Sequence, residues 1–580
     1  MASHLPNGPR RHSSQSGGGV SLEDLPKTNN FTTKLPPDPA FETPESSHNA
    51  PREALGPRMV KGALYTYVRP EPQDEPELLG VSPRAMKHIG LKDGEEQTQA
   101  FKDMVAGNKI FWSQEGGGIY PWAQCYGVEL GRDNWVMGLF ESINPETNKR
   151  YEIQLKGAGK TPYSRFADGK AVLRSSIREY IVSEAINALG IPTTRALALT
   201  LLPNVGVRRE KIEPGAIVTR FAESWLRIGT FDLLRARGDR DLTRKLATYL
   251  AEDVFPGWES LPTARVFPKD SSPPADIADP PRGIPKDEIQ GEEGAEQNRF
   301  ARLYREVVRR NANTVAQWQA YGFMNGVLNT DNTSLFGLSL DYGPFAFMDN
   351  FDPNYTPNHD DQLLRYSYKN QPSVIWWNLV RLGESLGELI GAGDKVDDET
   401  FVTKGITEDF APVLIKRAET IIDNASKEYR AVFLNRYKQL MAARLGLKTQ
   451  KDSDFEKLFS DLLDTLEALE LDFNHFFRKL SGLSLSDVES EEKRKESAGV
   501  FFHKEGVGGI GNTEESARER LANWLSTWKD RIVEDWGNGS DAERQTAMKA
   551  ANPKVRTCLS KISPLLTRSS SFLDPGFWMK

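Results

Sequence analysis

The sequence predicts an α+β fold of two lobes, with an additional helical region at the C-terminus. Three observations carry this expectation. An alternating stretch, Tyr151-Glu152-Ile153-Gln154-Leu155-Lys156, is followed by a glycine-bearing loop and then by a helical repeat. Helical periodicity dominates the chain from about residue 407 to residue 480. Between them, residues 322–349 read GFMNGVLNTDNTSLFGLSLDYGPFAFMD, with two polar, acid-bearing clusters ten residues apart at Asp331 and Asp341.

Residues 1–58 are rich in Pro, Ser, Asn and Gly without sustained periodicity, and are expected to form a disordered leader. The first 22 residues carry no acid but include Arg10, Arg11, His12 and several serines, a composition that suits a mitochondrial transit peptide. Pro6, Pro9 and Gly17-Gly18-Gly19 interrupt the amphipathic helix such a peptide needs. Ordered structure is expected from about Gly62. The strand at 151–156 ends on Lys156, and a loop follows to Lys170. Leu173, Ile177, Ile181, Ala185 and Leu189 then recur every four residues, with Gly190 placed just past the helix end. Residues 196–202 and 216–221 read as strands.

Residues 265–298 hold six prolines, many acids and few apolar side chains, and are expected to be a disordered insertion. A helix over 299–321 turns Leu303, Val307, Val308, Val315 and Trp318 toward the central stretch. Within that stretch, residues 335–340 alternate weakly between turn formers and read as a strand or hairpin. Trp376 to Val380 opens another helical region, and a helix runs from about Asn523 to Trp536. Phe459, Leu462, Leu466, Leu469, Phe473 and Phe476, spaced three and four apart, form a core stripe.

Composition narrows the class of partner. The 580 residues are 38% apolar and 27% charged, enough for a sizeable core. A net charge of -7 argues against nucleic-acid binding, which needs clustered Lys and Arg. No apolar run is long enough to span a bilayer. The two cysteines, Cys125 and Cys558, support neither a disulfide framework nor a zinc site, and fit a reducing compartment.

The central stretch carries chemistry. Hard cations such as Mg²⁺ take oxygen ligands from one or two carboxylates or amides, with substrate phosphates completing the shell. Asn332 and Asp341 offer such oxygens, leaving Asp331 as a base. Turn formation alone accounts for an isolated Asn-Thr-Asp-Asn. The Asp341-Tyr342-Gly343 that follows changes the reading, because protein kinases hold Mg²⁺ with an Asp-Phe-Gly aspartate after an Asp and an Asn. A kinase separates those two by four residues, whereas Asp331 and Asn332 are adjacent. Gly159-Lys160-Thr161 is not a P-loop, since the Walker pattern would place its first glycine at Gln154. Lys156 is the more useful cation: a kinase strand lysine binds phosphates and pairs with a helix glutamate, and Glu179 lies 23 residues downstream. The fold expectation is therefore protein-kinase-like.

Longer strings resemble one family. QLKGAGKTPYSR from Gln154, Asp168-Gly169, SSIREY from Ser175, and the stretch from Gly322-Phe323-Met324 through Asn329-Thr330-Asp331-Asn332 to Asp341-Tyr342-Gly343-Pro344 are similar to the selenoprotein O family, called YdiU in bacteria. The resemblance runs from about Ala63 to Pro553, apart from the insertion. It implies a kinase-like fold that binds ATP in reversed orientation and, with Mg²⁺ or Mn²⁺, transfers AMP to Ser, Thr or Tyr hydroxyls of other proteins. It further implies Asp331 as proton acceptor and Asn332 and Asp341 as metal ligands. Lys156, Asp168, Gly169, Arg220 and Arg227 become nucleotide contacts, joined at that site by Asp341, with Glu179 as the partner of Lys156. It also implies a mitochondrial location, with the cytoplasm as the alternative. The units implied are a nucleotide-binding lobe with the start of the helical lobe over 59–260, a catalytic helical lobe with the metal site over 299–450, and a helical extension over 451–580.

Two departures stand out. The family's glycine-rich segment is seven residues shorter here, between Tyr126 and Trp135. Such loops hold phosphates through backbone N–H groups, so the change bears on ATP affinity. The chain also ends Phe577-Trp578-Met579-Lys580, without the cysteine or selenocysteine motif common in the family. Three functions stay open at this point: adenylyltransferase, conventional protein kinase, and a scaffold that has lost catalysis.

Overall fold

A computed structural model describes residues 18–124, 136–164, 167–265, 267, 277–537, 539 and 541–553. The strands in chain order are β1 (Lys27–Thr28), β2 (Tyr65–Tyr67), β3 (Glu77–Val81), β4 (Phe111–Ser113), β5 (Gly117–Ile119), β6 (Trp122–Gln124), β7 (Val136–Ile143), β8 (Arg150–Lys156), β9 (Ala171–Val172), β10 (Arg195–Arg208) and β11 (Ile212–Ala222). Nine of them make the main sheet, in the order β2-β6-β7-β8-β11-β10-β3, with β1 added to β7 and β9 to β11. Its ladders are antiparallel. The pair β4–β5 is a separate hairpin.

Alternation explains what β8 does. Tyr151, Ile153 and Leu155 enter a core with Leu197, Ile217, Phe221, Phe101 and Met104. Glu152, Gln154 and Lys156 take the other face, because successive strand residues point to opposite sides. The helix Leu173–Ala188 packs on β10 and β11, and Gly190 follows it at φ 78°. The two preceding residues, Ala171 and Val172, form β9 against β11.

The second lobe is built on the helix Arg299–Tyr321. The Asn298 side chain accepts from the Phe300 and Ala301 amides, and the helix stops at Gly322, which adopts φ 66°. It is buried almost all round and packs on the helices Gln371–Ser385 and Ala411–Leu445. The predicted stripe from Phe459 to Phe476 lies in this core, and Trp524 and Trp528 of the helix Glu514–Trp536 join it. Among the described residues no helix is long and apolar enough to cross a membrane.

Three expectations change. Residues 18–58 are not a disordered leader: β1 pairs with β7, and Leu22, Leu25, Phe31 and Leu35 are buried. Parts of 277–298 are likewise docked. Arg302 donates to the Pro285 and Lys286 carbonyls, Arg282 pairs with Glu306, and Arg309 pairs with Asp279. A few polar anchors hold these segments where apolar content is low. Finally, 335–340 forms neither strand nor hairpin. The ladder here joins β12 (Phe323–Met324) to β13 (Ala346–Phe347), and the stretch between them is held by single bridges, Arg227 to Ser334 and Thr193 to Ser339.

A buried acid cluster anchors the N-terminal segment and carries a pH dependence. Arg150 Nη2 lies 2.9 Å from Glu141 Oε1 and 2.8 Å from Glu152 Oε1, so one guanidinium serves two carboxylates. Glu141 Oε1 also accepts from the Phe31 amide at 2.8 Å. Burial pushes the Glu152 carboxyl up to about 7, against the pull of Arg150 and with a further push from Glu141. With the folded value raised, stability is fully present below the ordinary Glu value and is lost as pH rises through about 7. Glu152→Gln is expected to remove on the order of 3 kcal/mol of this difference between pH 5 and pH 8. Urea unfolding at the two pH values measures it, and an unchanged difference would exclude Glu152 as its source.

Candidate active site

Strand register brings the cationic side of the site together. In β8 and β11, Lys156 is opposite Val218 and Gln154 is opposite Arg220, so the lysine, the glutamine and Arg220 share one face. Lys156 Nζ lies 2.6 Å from Glu179 Oε2 on the helix behind it. Glu179 Oε1 accepts from Arg220 Nη1 at 2.7 Å. Gln154 Oε1 accepts from Arg220 Nε and Nη2 at 3.0 and 2.8 Å, fixing the guanidinium plane, which stacks 4.4 Å from the Trp225 ring centre. Trp225 is itself held by its indole N–H on the Glu152 carbonyl.

The acidic side comes from the central stretch. Asp341 Oδ1 accepts from Arg220 Nη1 at 2.8 Å, and Oδ2 from Arg227 Nη1 at 2.5 Å. The same Arg227 nitrogen donates to the Asp331 carbonyl at 2.9 Å. Burial pushes the Asp341 carboxyl up, but Arg227, Arg220 and Lys156 outweigh it and hold it well below the usual carboxylate range. Its side chain stays 20% exposed. Asp341 also adopts φ 55°, an uncommon left-handed conformation for a residue with a side chain.

Asp331 and Asn332 sit in a 3-10 turn, Thr330–Asn332, whose first amides are satisfied locally. The Asn329 side chain accepts from the Asn332 amide at 3.0 Å. Asn378, from the helix Gln371–Ser385, donates to the Leu328 carbonyl and to Thr333 Oγ1, both at 2.8 Å. Asn332 Nδ2 donates to the Val327 carbonyl at 3.0 Å, which points its carbonyl oxygen away from that anchor. The turn abuts the start of the helix Ile228–Arg237, where a methyl group on Gly229 would overlap Asp331 Oδ1.

Lys156, Glu179, Arg220, Arg227, Asp331 and Asp341 are thus linked by one chain of contacts, with Asn332 in the same turn as Asp331. Asp168 and Gly169 lie in the loop after β8. Gly169, at φ 75°, backs onto Gly159, whose amide donates to the Gly169 carbonyl at 3.1 Å. Asp168 takes a different partner, Arg209, at 2.8 and 3.2 Å. Burial raises its carboxyl but the Arg209 hydrogen bonds dominate, so it sits below its ordinary value. The shortened segment between Tyr126 and Trp135 and the chain's last residues fall outside the described residues.

Sequence reasoning missed Gln154, Trp225 and Gly229. Gln154 was findable, since it stands two residues before Lys156 on an alternating strand. Gly229 had no local signal.

The donor set suits a hard cation. Among the described residues no group of three or more His, Cys, Asp or Glu could hold a metal ion alone. One amide oxygen and one carboxylate fit an ion that brings its remaining ligands as water and phosphate oxygens.

A sheet-borne lysine–glutamate pair facing an Asp-Asn turn and a second aspartate gives the molecule a protein-kinase-like fold. The sequence model of the protein adenylyltransferase SelO family matches residues 58–570, and the chain belongs to that family. It is 42% identical over 543 residues to the mitochondrial protein adenylyltransferase SelO of Schizosaccharomyces pombe, covering 92% of this chain and 88% of that one. It is 38% identical over 512 residues to the protein of that name from Saccharomyces cerevisiae, covering 79% and 72%. To the protein nucleotidyltransferase YdiU of Nitrosospira multiformis it is 33% identical over 568 residues, covering 92% and 86%.

Proposed function

We propose that this protein is an adenylyltransferase that moves AMP from ATP to a Ser, Thr or Tyr hydroxyl of a protein substrate. The observation that carries the reading is the single contact chain joining Lys156 to Asp341 and to the Asp331 turn through Arg220 and Arg227. The substrate hydroxyl oxygen attacks the α-phosphorus, the bond to the bridging oxygen breaks, and pyrophosphate leaves. Asp331 takes the hydroxyl proton. Lys156, Arg220 and Arg227 balance phosphate charge, which is most of what such a transfer asks of a protein. Asp168 and Gly169 line the nucleotide from the loop after β8. Asn332 and Asp341 hold Mg²⁺ or Mn²⁺, which supplies further charge stabilisation at the phosphates. The names of the two fungal relatives support a mitochondrial location.

The three acids Asp331, Asp341 and Glu179 match the three cations Lys156, Arg220 and Arg227. A divalent ion alone would leave this site with excess positive charge, so the cation and the polyphosphate enter as a pair.

ATP labelled at its α-phosphate is expected to mark a protein acceptor, and ATP labelled at its γ-phosphate is not. Labelling only from the γ position would instead identify a conventional kinase. Failure to bind ATP at millimolar concentration would leave a scaffold.

A further inference from the structure

Arg209 stands in the turn between β10 and β11 and reaches across to the loop after β8. Among the described residues it is the only side chain bonded to Asp168: Nη1 donates to Oδ2 at 2.8 Å and Nη2 to Oδ1 at 3.2 Å. The same two nitrogens donate to the Arg208 and Lys170 carbonyls at 2.9 and 2.8 Å. One planar group thus holds the side chain before Gly169 and the backbone after it. A two-bond fork of this kind fixes the plane of a carboxylate as well as its position.

The held segment lies alongside the backbone that leaves Lys156. A methyl group on Gly157 would stand 2.8 Å from the Ala171 Cβ, and one on Gly169 would overlap Gly159. From the other side Glu71 pairs with Lys170, and its amide donates to the Ala158 carbonyl at 2.8 Å. The backbone of residues 168–170 therefore has several braces, whereas the orientation of the Asp168 carboxylate depends on Arg209 and on the Lys170 amide.

What the carboxylate can still accept is then specific. An ionised carboxylate has no proton to donate and about four lone-pair sites. Oδ1 takes the Lys170 amide at 2.9 Å and one arm of the Arg209 fork, while among the described residues Oδ2 takes only the other arm. The side chain is 38% exposed, so Oδ2 has room for one more donor. A metal-bound triphosphate presents acceptors alone. The donors of ATP are its ribose hydroxyls and its 6-amino group, all on the nucleoside.

We infer that Arg209 is a positioning residue for ATP, turning Asp168 Oδ2 toward a hydrogen-bond donor of the nucleoside; this rests on the reading of Asp168 as a nucleotide contact. The guanidinium also balances the charge of an acid that would otherwise face a polyanion.

Calorimetry on the full chain with Mg²⁺ and the α,β-methylene form of ATP, which cannot transfer AMP, tests this. The same triphosphate lacking the 2′-hydroxyl, the 3′-hydroxyl or the 6-amino group is titrated beside it. One of the three is expected to bind the parent about tenfold more weakly than the complete nucleotide, the effect of losing one hydrogen bond to a charged group, and it identifies the donor. Arg209→Ala should weaken the complete nucleotide about tenfold and bind that analogue equally well. Arg209→Lys keeps the charge without the fork and should lose the discrimination too, which decides the matter if Arg209→Ala does not fold. Adding Arg209→Ala to Asp168→Ala should change affinity by less than about twofold, because the arginine acts through the acid. A general defect of structure would weaken all four nucleotides alike and keep their ratios. No discrimination by the parent, discrimination that survives in both arginine variants, or additive effects of the two alanine substitutions would overturn the proposal. A parent that binds and discriminates but transfers no AMP from ATP would overturn the proposed function and leave Arg209 in its role, and a parent that binds no nucleotide at millimolar concentration would overturn both.

Discussion

Asp341→Asn is expected to lower AMP transfer by at least about 10³-fold while the protein remains folded. The carboxylate accepts from two guanidiniums at 2.8 and 2.5 Å and lies in the field of Lys156. Replacing it with a neutral amide leaves three cations facing Glu179 and Asp331, and removes the one carboxylate proposed to hold the metal. Groups that stabilise charge at the reacting phosphate are each worth about 10²–10³ in rate, and this substitution disturbs several together. Removing one partner from a buried charge pair costs about 3–5 kcal/mol, and the 20% exposure of Asp341 moves the cost toward the lower end. Asn, like Asp, is among the side-chain-bearing residues that tolerate the φ of 55° here, so the backbone has no reason to rearrange. The folded carboxyl is held low, so its contribution to stability is present above the ordinary Asp value and is lost as pH falls below it. The variant should lack that acid-side loss. Steady-state rates at saturating Mg²⁺ and ATP, with thermal unfolding alongside, are the measurement. A rate within tenfold of the parent would remove Asp341 from the chemistry.

Elements whose cues are local were legible in the sequence. The central helix has the bounds its periodicity predicts, because Asn298 caps one end and Gly322 closes the other. The alternation around Lys156 places that group correctly, but the four-residue repeat on the following helix does not place Glu179: Ile177, Ile181, Ala185 and Leu189 are only half-buried, and the buried face carries Ser176, Glu179, Val182, Ser183 and Ile186. Arg220 needed the β8–β11 register, which local pattern does not supply. Residues 18–58 misled because their composition is that of an unfolded chain. Their order comes from a few apolar side chains and from distant partners, such as Glu141 for the Phe31 amide. The 335–340 stretch misled differently. Leu335, Leu338 and Leu340 are all buried, although Leu335 is out of step with Leu338 and Leu340 for an alternating strand. Its backbone, however, bonds to Leu226 and to the 192–194 segment rather than forming a ladder of its own. Burial pattern reports which side chains go inside and is silent on where the backbone finds its partners.

Gly229→Ala is expected to cut turnover by about 10²–10³-fold and leave stability within about 1 kcal/mol of the parent. Gly229 is the second residue of a helix, where alanine is normally the better choice by up to about 1 kcal/mol. Here the added methyl would overlap Asp331 Oδ1 and lie 2.9 Å from its Cγ and 3.3 Å from its Cα. The turn cannot retreat as a body. Asn329 holds its Asn332 amide, Asn378 holds Leu328 and Thr333, and Arg227 holds the Asp331 carbonyl. The carboxylate is therefore the part that moves, swinging to another rotamer. A proton acceptor displaced by about an ångström loses its alignment with the attacking hydroxyl, and misplacement of that size is worth about 10²-fold. Lys156, Arg220, Arg227 and Asp341 keep their contacts, so the apparent affinity for ATP should hold while kcat falls. A merely structural defect would not separate the two in this way. If Gly229→Ala turned over at the parental rate, the Asp331 carboxylate would have no part in the proton transfer.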